Sequence, residues 1–304
     1  MKRVGIFLFI FCVSILHAWM SEDDVGTCGA QFLKIGIGAK PMGMSGAYSG
    51  FSDVSSLYWN PAGIASIETK QALIQHTQWF EDTNIEFLGA VFPGAKKVLG
   101  LSATYLKIDN FEERISDTTE PISKFDAKDM AIGVSCARKG TSLDWGITIK
   151  AIKSKIYDES SNLVIAGDLG VLKRAQVLGL PGRFALVLKD FGTKIKFNTQ
   201  KDPLPSVIKL GLALDVSDEM LLGIDLNLPR DNKTNVNIGL EYQLPVSGVK
   251  FPLRIGWKSL NDFDTISGFS AGFGLGFSTL DFDFAWVPYG DFSDTYRFSL
   301  TGRF

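Results

Sequence analysis

From residue 72 to the C-terminus, hydrophobic and polar positions alternate with a period of two, most fully over residues 266–304. Phe269, Ala271, Phe273, Leu275 and Phe277 fall on one side of that stretch, and Ser270, Gly272, Gly274, Gly276 and Ser278 on the other. Leu280, Phe282, Phe284 and Trp286 then oppose Asp281 and Asp283. Tyr296, Phe298, Leu300, Gly302 and Phe304 oppose Thr295, Arg297, Ser299, Thr301 and Arg303, and the chain stops on that phenylalanine. Side chains alternate across a strand, so each run has an apolar face and a polar or glycine face. Upstream, Ile208, Leu210, Leu212 and Leu214 oppose Lys209, Gly211 and Ala213, and Leu222, Ile224 and Leu226 oppose Gly223 and Asp225. The pattern predicts strands over 72–79, 84–92, 97–107, 128–138, 142–153, 162–174, 182–190, 206–216, 219–228, 234–244, 250–258, 268–278, 280–287 and 294–304.

The connections between these strands alternate in length. Lys139-Gly140-Thr141, Ser217-Asp218 and Thr279 are tight, whereas 108–127, 154–161, 191–205 and 288–293 are longer and rich in polar residues or proline. Short turns at one rim, longer loops at the other and an even strand count are features of transmembrane β-barrels. A soluble sandwich also alternates, but its outer face is charged. Here the polar face is dominated by small neutral residues with scattered charges, as in a lumen. The expectation is an all-β fold: a transmembrane antiparallel β-barrel of about fourteen strands.

Composition agrees. The 304 residues carry 31 Lys and Arg against 33 Asp and Glu, a balance that offers nucleic acid no basic surface. With 31 glycines and 23 phenylalanines, the mean hydropathy is only +0.12, which suits alternating strands better than membrane helices. Residues 1–18 read as a secretory signal peptide: Lys2 and Arg3, an apolar core from Val4 to Leu16, and Ala18 at the cut. Of the remaining cysteines, Cys28 and Cys136 make no disulfide framework, and free, buried thiols are the expectation. There is no Cys-x-x-Cys, and His76 is the only histidine after the signal, so no metal or other cofactor is expected.

Residues 19–70 differ from all that follows. Eight glycines lie among small residues with no sustained period of two. A short helix is predicted around Val54 to Tyr58 with Asp53 as its N-cap, and Pro61 holds Asn60 extended. Two blocks stand out: Lys40-Pro41-Met42-Gly43-Met44-Ser45-Gly46-Ala47 and Tyr58-Trp59-Asn60-Pro61-Ala62-Gly63, with Asp53 between them. Together they resemble the PorV/PorQ family of bacterial outer-membrane proteins and, more broadly, the FadL-type long-chain fatty-acid transporters. The resemblance covers residues 36–65 by motif and the remainder by architecture.

That resemblance implies a fourteen-stranded barrel (71–304) in the cell outer membrane, with residues 19–70 folded inside the lumen as a hatch. The hatch motif is then Pro41, Gly43, Gly46, Asp53, Trp59, Asn60, Pro61, Ala62 and Gly63. Asn60 and its neighbours either fix the shape of the hatch or help to gate passage. Tyr296, Phe298, Leu300 and Phe304 resemble the C-terminal signal read by the barrel-assembly machinery. Two functions follow from the resemblance. One is a passive channel for hydrophobic small molecules such as long-chain fatty acids, in contact with outer-membrane lipid. The other is a PorV-like component of type IX secretion that binds cargo or partner proteins of the secretion system. Neither is an enzyme, and the sequence holds no catalytic grouping: Asp281 and Asp283 read as lumen lining, and Asp109, Glu112, Glu113 and Asp117 as a solvated acidic loop. Trp79, Trp145, Trp257 and Trp286 near strand ends fit interfacial aromatic girdles.

Overall fold

The computed structural model describes residues 24–80, 82–117, 119–246, 248–259 and 268–304. The signal peptide expected over 1–18 lies outside these residues. Fourteen strands form the wall: β1 Gln71–Gln78, β2 Thr83–Pro93, β3 Val98–Glu113, β4 Ser123–Arg138, β5 Leu143–Ile156, β6 Val164–Val177 and β7 Leu180–Gly192, followed by β8 Val207–Asp215, β9 Met220–Pro229, β10 Asn235–Leu244, β11 Phe251–Lys258, β12 Phe269–Gly276, β13 Leu280–Pro288 and β14 Asp294–Arg303. Each pairs antiparallel with the next, and β14 returns to β1 in the register Gln71↔Arg303 to Gln78↔Tyr296, so the sheet has no free edge.

The barrel is polar inside and apolar outside. Ile74, Leu88, Leu101, Ile149, Ile255 and Leu300 point outward and are exposed. At the alternating inward positions Gln75, Thr148, Asp225, Asn237, Arg254 and Arg297 are buried. A bilayer can take only a structure whose backbone groups are all paired internally, and a closed barrel with this outer face meets that demand.

The strand series follows the alternation, with one correction. Residues 108–127 do not form a long loop, because β3 continues to Glu113 and β4 begins at Ser123. The ladder steps over a bulge between Ile108 and Phe111, where Asn110 takes a left-handed φ of 61°. That irregularity breaks the period of two, which hides the continuation in the sequence. Smaller pieces of structure also occupy the longer loops, including a two-residue ladder of Ile195–Lys196 with Lys201–Asp202.

Turns of two to four residues, among them 178–179 and 216–219, join strands at one end; longer connections, among them 157–163 and 193–206, lie at the other. Residues 24–70 run inside the wall from the long-loop end, where Gly29 N donates to Pro203 O (3.0 Å), to the short-turn end, where β1 begins. The two cysteines are free. Cys28 is buried in the lumen beside the 230–234 loop, and burial, reinforced by the charge of Asp231, pushes its thiol up to about 11. Cys136 alternates with buried Ser135 and Ala137 and so faces outward, on the other side of the wall.

Candidate ligand cavity and the segment beneath it

The N-terminal segment is short on regular structure because its hydrogen bonds go to the wall. Its elements are a 3-10 turn Gln31–Lys34, helix α1 Ala39–Gly43, helix α2 Ser56–Trp59 and a 3-10 turn Pro61–Ser66. Between them, buried backbone groups need partners. Gly38 N donates to Gln75 Oε1, Ala39 N to Ser299 Oγ (2.8 Å) and Ser45 N to Ser270 Oγ (2.9 Å). Ser49 N and Oγ both donate to Asp225 Oδ2 (3.1 and 2.6 Å), and Asn237 Nδ2 donates to Ser45 O (2.7 Å).

The two blocks singled out in the sequence come together here, with Gly46 against Trp59. Asn60 is fully buried; its Oδ1 accepts from Ala62 N (3.0 Å), and its Nδ2 donates to Ser49 O (2.7 Å), so it caps the Pro61–Ser66 turn and ties its block to the chain just after the other. It does not hydrogen-bond the wall, where Gly170 faces it: a Cβ there would lie 2.0 Å from Asn60 Oδ1. Asp53 accepts from Ser55 N (2.9 Å) and from Tyr48 Oη, and lies 3.5 Å from Lys40. The predicted helix therefore starts two residues later than expected, at Ser56, with Asp53 bracing the turn before it. Pro41 O accepts from Gly46 N (2.9 Å), and Gly46 takes φ +74°, open to glycine, at a place where Trp59 also leaves no room for a side chain. Gly43 packs on Gly272 of β12, and Gly63 on Ser56 and Phe51 O.

Above this segment, toward the long-loop end, lies a cavity of about 200 Å³. Leu33, Met42, Tyr58 and Trp59 form its floor, and the ends of β7–β13 its sides. Both floor aromatics turn their polar tips away: Tyr58 Oη donates to Leu33 O (2.8 Å) and Trp59 Nε1 to Ile37 O (2.7 Å), leaving apolar ring surface to the cavity. Four lysines line the same space. Lys34 pairs with Asp231 (2.8 Å), Lys189 with Asp190 (2.7 Å) and Lys209 with Asp225 (3.1 Å). Lys189 also lies 4.0 Å over the Tyr58 ring and Lys209 4.6 Å over the Trp59 ring, contacts that hold the aromatic floor in place. Lys258 has no carboxylate partner among the described residues, and Asn237 Oδ1, also lining the cavity, accepts no hydrogen bond. Burial works against the charge of Asp231, yet hydrogen bonds from Lys34 and Gln31 hold its carboxyl below the ordinary range.

Toward the short-turn end two further spaces, about 220 and 540 Å³, share Lys40, Asp281, Asp283 and Arg303. No residue lines both these and the upper cavity. Asp281 and Asp283 thus face the lumen, paired with Arg303 and Arg254 respectively. The acidic loop proves to be a charge-paired hairpin: Glu112 accepts from Arg114 and Asp109 lies 2.5 Å from Lys107. Trp145 and Trp257 are exposed on the outer face, and Trp286 lies on that face too, as a girdle requires. Trp79 is a correction: it turns inward, 4.8 Å from the Tyr289 ring and 5.2 Å from the buried Arg297 guanidinium. It continues the inward positions of β1, Leu73, Gln75 and Thr77, one step past the strand's end. The alternation had put Lys209 on a polar face, but no local signal marked it, Lys189 or Lys258 as one cluster; only the inward register of separate strands does that.

No protein-family model matches the chain, and no curated protein matches it in sequence. Among solved structures it is similar to the CymD monoaromatic hydrocarbon channel, at TM-score 0.62 and 14% identity over 89% of this chain and 98% of that one. It is similar as well to the toluene transporter TbuX of Ralstonia pickettii (0.61, 12%, 88% and 98%) and to the toluene transporter TodX of P. putida (0.58, 11%, 88% and 99%). At such identities the likeness is one of fold: this chain is a closed, fourteen-stranded transmembrane β-barrel of the kind these hydrocarbon channels have.

Proposed function

We propose that the protein is a FadL-like outer-membrane channel for passive uptake of hydrophobic small molecules, with the long-loop end outside and residues 24–70 acting as the hatch. The observation that carries this reading is the apolar-floored cavity at the long-loop end, divided by the N-terminal segment from the polar spaces at the short-turn end. The named neighbours carry neutral aromatic hydrocarbons. Lys258, which has no carboxylate partner among the described residues, favours an acid-headed molecule such as a long-chain fatty acid, whose tail would lie on Tyr58 and Trp59. The divided lumen supports a channel, and most of its charged groups are engaged in ion pairs, between wall strands as in Arg254 with Glu241 and Asp283 or from hatch to wall as in Lys34 with Asp231.

The test is ligand binding to the purified barrel. A long-chain fatty acid is expected to change tryptophan emission in the wild type and not in Trp59→Phe. Lys258→Met is expected to weaken acid binding about tenfold while leaving a neutral hydrocarbon unaffected, the usual scale for a lost charge-assisted hydrogen bond. The reading fails if no lipophile co-purifies by mass spectrometry and deletion of the protein leaves fatty-acid uptake unchanged. The PorV-like reading draws its support from the β3–β4 hairpin, whose 16-residue strands outreach their neighbours and expose Phe111, Ile115 and Ile122. Shortening that hairpin tests it, with the sorting of secreted cargo as the readout.

A further inference from the structure

The outer surface of β3, β4 and β5 reads as a ladder of rows set by their register. Leu99, Cys136 and Ile147 form one row, and Leu101, Val134 and Ile149 the next. Ala103, Ile132 and Ala151 follow, then Tyr105, Met130 and Lys153. The row above is Lys107, Lys128 and Lys155: three lysines directly opposite one another on adjacent strands. Like charges so placed repel, and a sheet ordinarily avoids them.

Two carboxylates offset part of this charge. Asp109 lies 2.5 Å from Lys107, and Asp126 is shared between Lys128 (3.5 Å) and Lys107 (4.0 Å). Lys153 and Lys155 are exposed and have no carboxylate partner among the described residues. Four cations against two anions leave the patch net positive.

Its height on the wall fixes what surrounds it. Arg138 and Trp145 are paired at the short-turn end of the same face. From Arg138 to Lys128 is ten residues along β4, about 33 Å of strand, which at a tilt of about 40° spans roughly the 25 Å of an apolar barrel band. The lysine row therefore sits where hydrocarbon gives way to head groups, on the long-loop side, with an apolar strip three strands wide directly below.

We propose that Lys107, Lys128 and Lys155, with Lys153 beneath them, dock the phosphorylated head group of a multiply acylated glycolipid in the outer leaflet. Its acyl chains lie along the Leu99–Ala103, Ile132–Cys136 and Ile147–Ala151 strip. The complementary charge is phosphate at the bilayer surface, and the breadth of the strip suits several chains on one head group. The inference rests on the outer-membrane placement proposed above and is independent of what the lumen carries.

The test uses the full mature barrel in detergent, examined by native mass spectrometry with bisphosphorylated lipid A, its dephosphorylated counterpart and phosphatidylglycerol. The wild type should retain the bisphosphorylated glycolipid and release it as salt is raised, because exposed charge pairing is screened. The variant carrying Lys107→Gln, Lys128→Gln, Lys153→Gln and Lys155→Gln should bind it at least about tenfold more weakly, since four cations at an anionic lipid surface are removed. Lys173→Gln, on the same outer face near the short-turn end, should bind as the wild type does. Equal retention by the fourfold variant, equal retention of the dephosphorylated glycolipid, or parity with phosphatidylglycerol would each overturn the proposal. Should the fourfold variant fail to fold, as judged by heat-modifiable migration, the three wild-type lipid arms and the salt titration decide alone. Membrane fractionation separates the two readings: a barrel absent from the outer membrane sinks the placement, and one present there without glycolipid binding sinks only this inference.

Discussion

Asn60 shows how much one side chain does when backbone groups lie buried without regular structure. It satisfies Ala62 N–H and Ser49 C=O at once, the first within its own block and the second two residues beyond the other. Asn60→Ala removes both partners in a site with no solvent to replace them. The expected cost is about 1–3 kcal/mol, the range for a lost cap combined with an unsatisfied buried group. Urea unfolding of the micelle-bound barrel checks this: the midpoint should fall, and an unchanged midpoint would show that Asn60 is not structural. The sequence offered Asn60 as a residue that fixes the shape of the hatch or helps to gate passage, and in the fold it caps the Pro61–Ser66 turn. The wall's share of that contact is Gly170, whose missing side chain makes room for the amide. Lys258 illustrates the reverse case. Nothing near it in the chain singles it out, and it becomes a candidate ligand contact only because β11 turns it toward the floor formed by Tyr58 and Trp59.

At the scale of elements, the docking of the N-terminal segment depends on glycines in the wall as much as on its own. Gly223, Gly239 and Gly256 are direct cross-strand partners on β9, β10 and β11, and together they open a smooth seam along the inner surface. Residues 44–47 lie in it: a Cβ on Gly239 would meet Met44 Cβ at 2.5 Å, and one on Gly256 would meet Met44 C at 2.3 Å. Gly239→Val should therefore expel this part of the segment while leaving the wall paired, since valine suits a strand. Trypsin cleavage after Lys34 in the folded barrel reports it; protection equal to the wild type would mean the seam adapts. In the sequence these glycines read as part of a small, neutral lumen face. Their alignment was not legible, because register between strands is set by hydrogen-bonded pairing across the sheet rather than by any one strand. The extension of β3 and β4 escaped for a related reason: a bulge breaks the period of two on which strand reading depends.

At the scale of the molecule, closure joins the two ends of the wall. β14 pairs with β1 over eight residues, Phe304 N donates to Lys70 O (2.9 Å), and the Phe304 ring, 79% exposed, covers Gly302 on the outer face. Tyr296, Phe298 and Leu300 continue that apolar face upward. Deleting Phe304 should leave export intact but lower the amount of folded barrel in the outer membrane, measured by fractionation and heat-modifiable migration. Normal levels would show that the terminal aromatic is not read during assembly. The sequence by itself determined the strand series, the outward apolar face and the distinct character of residues 19–70. Those properties are periodic or compositional, and each strand expresses its own alternation whatever its partners. Only the tertiary structure decided where the inward charges meet, which glycines line up beneath Met44, and that a cavity remains above Trp59. The inward charges meet across neighbouring strands, as Arg254 does with Glu241, and residues 24–70 meet wall residues far along the chain, as Lys34 does Asp231; register and closure of the sheet bring them within reach.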